Sequence, residues 1–483
     1  MKIDQYINLS EDLKISRVIA GLWQVADMEK NGQILDPIST SSAMEPYVKA
    51  GFTTFDMADH YGSAEIIAGT FRQLNPLGNR IHCLTKWVPA PGKSSKADAK
   101  AAIVKAIKHL NTDRLDLLQF HAWNYSDPIW LDQLYWLSEL KKEGYIHHLG
   151  LTNFDADHLR IVCASGIPVL TNQVSYSMID QRAGGEMTQV CRQYGIHLLA
   201  YGCLAGGFLT ERWLNKPEPI DIRKLTWSQM KYKRFIDVAG GWNRFQAILK
   251  ELRKIANKYH VSIANIVCKY VLESECVAAI IIGAHLGQSE HISDTLRLLA
   301  LKISEEDMQT MKNIHRGLTP IPGDCGDEYR KPPFLTASGD LSHHFDAMPP
   351  TYQSQPSTNQ TTKIFSGTSW EELAGYCRAL KRGNRIFVSG TTATHNNHLV
   401  GGKDTAAQMH FIIDKIEGVI KSLGGSLENI IRTRIFVNNV EDWEAVARAH
   451  GRRFKNIQPV NTLVEAKLVG EGYLVEMEAE AEL

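Results

Sequence analysis

Phe55-Asp56-Met57-Ala58-Asp59-His60-Tyr61-Gly62 carries the chain out of an apolar run and into a loop bearing carboxylates, an imidazole and a phenol. The same transition repeats along the N-terminal part of the sequence, where short apolar segments end in Asp56, Lys86, His121, Asn153, Gln173, Tyr201 and Gly283. Versatile side chains at the carboxyl ends of successive parallel strands are the pattern of a (β/α)8 barrel, whose site is built from the loops of one rim. The spacing therefore predicts an α/β TIM barrel with its reactive groups gathered on a single face.

Length and composition bound what surrounds this core. A chain of 483 residues accommodates a barrel of about 250 to 330 residues and a further module of about 120. Lys+Arg and Asp+Glu both number 53, so no domain-wide basic field for nucleic acid or anionic lipid is implied. The longest purely apolar run, near Val277 to Ile282, falls far short of the roughly 20 residues of a membrane span. Met1 to Leu9 lacks the basic-then-apolar layout of a signal peptide, so a cytoplasmic protein is expected. The eight cysteines contain no C-x-x-C pair, and reduced, buried thiols are expected. No metal site is indicated.

From Arg17 to about Ala300, β-branched runs alternate with amphipathic stretches in the βαβ rhythm. Leu131, Leu134, Leu137 and Leu140, closed by Lys141, Lys142 and Gly144, predict one helix, and a strand follows around His148 to Leu151. Between about Thr319 and Thr362 the pattern gives way to Pro322, Pro332, Pro333, Pro349 and Pro350 and then a Ser/Gln/Asn/Thr tract from Ser354 to Thr362, expected as a wrapping tail and a flexible linker. The resulting domains are 1–318 (barrel), 319–362 (tail and linker) and 363–483. In the last, a strand at Arg385 to Ser389 precedes a helix with Ile412, Ile416, Val419, Ile420 and Leu423 on one face, stopped by Gly424 and Gly425. Ile431, Thr433, Ile435 and Val437 then alternate with Arg432, Arg434 and Phe436, and Val475, Met477 and Ala479 with Glu476, Glu478 and Glu480, predicting an α+β domain whose sheet buries one face.

Asp56, Tyr61, Lys86 and His121, at three successive strand ends and one loop, resemble the catalytic tetrad of the aldo-keto reductase family over residues 1 to roughly 335. The resemblance implies reduction of a carbonyl compound, and the chemistry agrees. Hydride reduction needs a proton donor at the developing alkoxide, and a phenol with an ordinary pKa near 10 donates poorly unless a cation favours its ionised form. Tyr61 is the expected acid, Lys86 the cation, Asp56 its counterion and His121 the carbonyl's hydrogen-bond partner. Singly, each of these residues reads as ordinary packing or a structural ion pair. As a set, they read as catalytic.

The same resemblance implies a nicotinamide cofactor. Thr152 and Asn153 in Gly150-Leu151-Thr152-Asn153-Phe154, with Gln173, match the carboxamide-binding residues. Tyr201, Gly202 and Leu204 match the segment whose aromatic ring stacks on the nicotinamide. Gly283, Ala284, Glu290 and Asp294 match the adenine end, and Trp23 joins the mouth of the site. Where members of the family commonly carry Lys or Arg for the 2′-phosphate, this chain has His285, so NADPH is implied with NADH as the alternative. Trp123, Tyr125 and Trp130 read equally as pocket lining and as barrel-mouth packing.

From about Lys363 to Leu483, Gly375-Tyr376-Cys377-Arg378-Ala379, Ile386-Phe387-Val388-Ser389-Gly390, Arg434-Ile435-Phe436-Val437-Asn438 and Pro459-Val460-Asn461-Thr462-Leu463-Val464-Glu465 resemble the RidA/YjgF family, implying its chorismate-mutase-like α+β fold. The family's deaminating members carry a carboxylate-gripping arginine where this chain has Asn461, so standard enamine or imine deamination is not expected. Tyr376 and Glu476 match cleft positions. Arg378 reads either as a replacement cation or, with more weight, as a surface arginine. The resemblance also implies a homotrimer assembled through this module. Two other readings of the whole chain are a reductase joined to an imine hydrolase and a cofactor-binding redox sensor.

Overall fold

The computed structural model describes residues 5–25, 35–287, 291–331, 348–358, 360–396 and 398–483. Eight parallel strands close a barrel: β1 (Val18–Gly21), β2 (Thr54–Asp56), β3 (His82–Trp87), β4 (Leu115–Phe120), β5 (Ile146–Thr152), β6 (Val169–Ser175), β7 (His197–Tyr201) and β8 (Val277–Gly283). Each strand pairs with its sequence neighbour, and β8 returns to β1 through Ile280↔Val18 and Gly283↔Gly21. A hairpin, Tyr6–Asn8 with Lys14–Ser16, brings Leu9, Leu13 and Ile15 against Ile19, Leu84, Leu117 and Leu199, filling the barrel interior. The outer helices pack a second core against the strands.

Local signals are met where periodicity and capping agree. The leucine repeat lies on a helix spanning Ile129–Lys142, and Gly144 adopts φ 91 beyond its end. The glycine is needed there because a side chain is strained in the left-handed region. All eight cysteines are unpaired thiols. No helix among the described residues is long and apolar enough to cross a membrane.

The second domain is a seven-stranded mixed sheet backed by helices Thr405–Ser422 and Trp443–Phe454. Its strands are β9 (Ser354–Ser357), β10 (Thr361–Ile364), β11 (Ala379–Arg382), β12 (Arg385–Thr392), β13 (Ile430–Val437), β14 (Val460–Glu465) and β15 (Val475–Glu482), in the order β9-β10-β11-β12-β15-β13-β14. Two expectations are corrected here. Within the polar tract expected as a linker, Ser354–Ser357 and Thr361–Thr362 pair as strands of a β-hairpin arm, because the backbone joins the sheet edge, Thr362 with Lys381 and Pro356 with Thr362. Ile431 is exposed while Ile430 is buried, because a register shift between Ile430 and Arg432 displaces the alternation by one residue.

The two domains meet through polar and charged groups. Helix Thr405–Ser422 lies on barrel helix Ala156–Ala164 and also meets the loop after β4, where a Cβ on Gly418 would fall 2.1 Å from the Ser126 carbonyl oxygen. Within this contact the His158 ring is stacked 3.4 Å from Tyr125, with Nδ1 2.6 Å from Asp155 Oδ1 and Nε2 2.8 Å from Asp414 Oδ2. Arg453 donates to Asp414 Oδ1 at 2.6 Å, and Arg160 reaches Asp404 at 2.9 Å.

Burial by itself would lower the His158 pKa, but Asp155 and Asp414 outweigh it and raise it from its ordinary value of 6.5 to about 9. Because the folded value is the higher one, the stabilisation is complete below about pH 6.5 and disappears as pH rises through about 9. Thermal denaturation across pH 6 to 10 should show this loss, and His158→Gln should flatten it. A wild-type profile that rises across that range would contradict the assignment.

Candidate functional site

The carboxyl ends of β2, β3, β4 and β6 converge on one buried carboxylate. Asp56 Oδ2 accepts from Lys86 Nζ at 2.7 Å, while Oδ1 accepts from Gln119 Nε2 at 3.1 Å and Gln173 Nε2 at 2.7 Å. Lys86 also donates to the Met57 carbonyl at 2.8 Å. Both members of the ion pair are almost fully buried, which is tolerable because each charge also has hydrogen-bonding neighbours.

Tyr61 stands above this pair, with Lys86 Nζ 5.3 Å from its ring centroid and Trp23 packed edge-on at 5.0 Å. Burial is the largest influence on its phenol and raises its pKa well above 10, with Asp56, Tyr329 and Asp59 adding to the shift. Burial likewise lowers the Lys86 pKa, opposed by Asp56. The Lys86 ammonium is hydrogen-bonded to Asp56 and Met57 and lies 5.3 Å from the Tyr61 ring centroid, so burial and the neighbouring carboxylates set the direction of the phenol's shift. Tyr61 is a neutral phenol at physiological pH. His121 turns Nδ1 towards the Thr152 carbonyl, at 3.4 Å, and packs against Trp123 with ring centroids 4.4 Å apart.

The residues expected at the nicotinamide lie on the same rim, but not all present free amides. Gln173 faces inward to Asp56 and Gln119, and Thr152 Oγ1 donates to the Gln173 carbonyl at 3.3 Å. Asn153 sits at φ 60, and its Oδ1 accepts from the Tyr201 hydroxyl at 2.7 Å. Gly202, at φ 74, has no room for a side chain, since a Cβ would lie 1.9 Å from the Tyr232 hydroxyl. Leu204 is half-buried beside it, Gly283 approaches Gln24, and Ala284 is buried. Asp294 is engaged by Ser262 Oγ at 2.8 Å and Asn265 Nδ2 at 3.0 Å. Glu290 lies outside the described residues. Of the aromatic trio, Trp123 stays beside His121, while Tyr125 and Trp130 pack inward towards Phe154 and His158.

Sequence reading passed over the tail helix Asp327–Arg330. Tyr329 places its ring 6.1 Å from His121 and its hydroxyl 3.3 Å from that of Tyr201, and it accepts from Lys231 Nζ at 2.8 Å. Arg330 donates to the Asn153 carbonyl at 2.9 Å. The one available signal was the charged and aromatic Asp327-Glu328-Tyr329-Arg330 run inside an otherwise proline-rich segment.

In the second domain, Tyr376, Arg378 and Glu476 come together. Arg378 is buried rather than a surface arginine, donating to the Gly390 carbonyl at 2.7 Å and the Tyr376 hydroxyl at 3.2 Å. Burial raises the Glu476 pKa, opposed by Arg378. Asn461 is apart from them, on edge strand β14, where it donates to Thr433 at 2.9 Å.

Residues 17–316 match the Aldo/keto reductase family model, and residues 367–483 match the model described as Endoribonuclease L-PSP. An uncharacterized protein of Streptomyces coelicolor is 35% identical over 120 residues, covering 25% of this chain and 90% of its own length. The NADH-specific methylglyoxal reductase of Escherichia coli (strain K12) is 22% identical over 331 residues, or 64% of this chain and 97% of its own. A glycerol dehydrogenase structure from Gluconobacter oxydans shares the fold with a TM-score of 0.54 at 18% identity, over 67% of this chain and 98% of that one.

Proposed function

The chain belongs to the aldo/keto reductase family and ends in a RidA/YjgF-like domain, and on that premise we propose that it reduces an aldehyde or ketone with a nicotinamide cofactor, using Tyr61 as proton donor. The observation that carries this reading is the buried Lys86–Asp56 pair beneath a neutral Tyr61, with His121 on the same rim. The cofactor, when bound, supplies the hydride. Asn153 and Tyr201 hold a donor and an acceptor at the strand mouths that suit a carboxamide, and Gly202 beside them leaves room for the Tyr232 hydroxyl.

Within this scheme His121 orients the carbonyl oxygen. The Tyr61 phenol gives its proton to that oxygen as negative charge develops on it, yielding an alcohol, and solvent returns a proton to the phenolate. Lys86 stabilises the phenolate at the moment it forms, and Asp56 keeps Lys86 charged despite its burial. NADPH is the proposed cofactor. His285 and the NADH-specific relative favour NADH as the second reading.

For the second domain we propose a trimerising role without standard deaminase activity. Its outer sheet face leaves Phe387, Val460 and Val464 exposed, and Asn461 supplies no charge for a carboxylate.

Tyr61→Phe should lower kcat for carbonyl reduction by at least about a hundredfold while preserving cofactor binding. A variant with wild-type turnover would remove Tyr61 from the mechanism. Since reduction needs the protonated phenol and its pKa lies above 10, the wild-type rate should not fall through loss of this proton below about pH 10. His285→Arg should tighten NADPH about tenfold with NADH unchanged, as read by fluorescence titration. Sedimentation of the full-length protein should give three times the chain mass, and a monomer at micromolar concentration would rule out the assembly.

A further inference from the structure

Tyr329 lies where two barrel segments meet, and the second domain contacts both. The first is the loop after β5, where Asn153 contacts Tyr201 and Asp155 leads through His158 to Asp414 of helix Thr405–Ser422. The second is the tail from Ile321 to Arg330. Its Gly326 lies so close to the loop that a Cβ would be 2.2 Å from the Asn153 carbonyl oxygen. The neighbouring Glu328 is fully buried between Arg182, at 3.0 Å, and Lys231, at 3.3 Å.

Arg452, on helix Trp443–Phe454, joins this tail to the rest of the barrel. Its Nη2 donates to Asp324 of the tail at 2.9 Å, its Nε donates to Asp157 of the helix after β5 at 3.0 Å, and its Nη1 meets Glu186 of the helix after β6. One guanidinium thus gathers carboxylates from three barrel segments, a geometry its planar array of donors permits and a lysine's compact ammonium reproduces only in part. Burial and the neighbouring Asp155, Asp157 and Asp327 push the Asp324 carboxyl up to about 7, so these acids repel one another where Arg452 enters. The carboxylates that Arg452 binds all belong to the barrel or its tail, whereas Arg378 binds Tyr376 within the second domain.

We propose that the RidA-like domain positions the reductase site: Arg452 is a positioning residue that holds the 321–330 tail, and with it Tyr329, against His121 and Tyr201. This rests on the reductase reading of the barrel. The fused domain then acts on carbonyl recognition through the tail, whatever its own cleft binds. The chain of contacts runs from Arg452 to Asp324, along the tail to Tyr329, and ends 6.1 Å from the His121 ring.

The test uses the full-length protein with Arg452→Ala, Arg452→Lys, Tyr329→Phe and the Arg452→Ala/Tyr329→Phe double variant. Steady-state kinetics would follow NADPH oxidation with an aldehyde whose wild-type turnover is abolished by Tyr61→Phe. Arg452→Ala should raise the KM for the aldehyde about tenfold with a smaller change in kcat, Arg452→Lys should recover part of the loss, and the double variant should be less impaired than the product of the single effects. Multiplicative effects, or an unchanged KM, would overturn the proposal. Hydrogen exchange supplies a readout independent of turnover: residues 321–330 should lose protection in Arg452→Ala while the barrel strands keep theirs. Unchanged protection of the tail would overturn the proposal, as would equal loss throughout the barrel, which would mark Arg452 as structural only. If wild-type protein reduces no aldehyde, the reductase reading fails, and the exchange experiment still decides whether the domain holds the tail.

Discussion

Closure of the barrel between β8 and β1 is the constraint on which the site depends. With Ile280 to Gly283 paired in parallel register to Val18 to Gly21, every strand runs the same way and every carboxyl end lies on one rim. Residues far apart in the chain become neighbours only for this reason. Asp56, Lys86, Gln119 and Gln173 come from four strands and form one hydrogen-bonded unit. Its carboxylate and ammonium are both withdrawn from water, so each is tolerable only while the others keep their places.

The seat of the second domain follows a different logic. Its sheet buries one face against its own helices, and those helices meet the barrel through ion pairs and hydrogen bonds. Buried charges of this kind add little net stability compared with an apolar contact, but a misplaced docking would part His158 from Asp414 and Arg452 from its barrel carboxylates. The absence of side chains at Gly418 and Gly402 lets backbone meet backbone, which restricts the approach to one orientation. The interface therefore selects a geometry more than it supplies cohesion, and that geometry is what brings Arg452 to the tail.

Much of this was readable along the chain wherever the signal was local. The βαβ rhythm, the leucine-spaced helix closed by Gly144, and the alternation of Val475, Met477 and Ala479 all depend on neighbours a few residues away, and all are realised. Errors arose where a pairing partner lay elsewhere. Ser354–Thr362 has the composition of a linker, yet backbone hydrogen bonding is indifferent to composition, and the edge of β11 offered it a partner. Ile431 fits an alternating strand, but the register shift that displaces it is set by pairing with β15. Arg378 looks like a surface arginine until Gly390 and Tyr376 fold around it.

The sequence by itself determined the barrel, the α+β domain behind it and the identity of the rim residues Asp56, Tyr61, Lys86 and His121, because strand ends and helical faces are written in short-range periodicity. Only the tertiary structure decided what those residues touch. It turned Gln173 inward to Asp56, buried the Tyr61 phenol beside Asp56 and Tyr329, and set Tyr329 beside His121. It also joined Arg452 to three acids spread from Asp157 to Asp324. Hydrogen bonds and desolvation depend on distances in space, and a residue nearly three hundred positions away leaves no periodic mark on the segment it contacts.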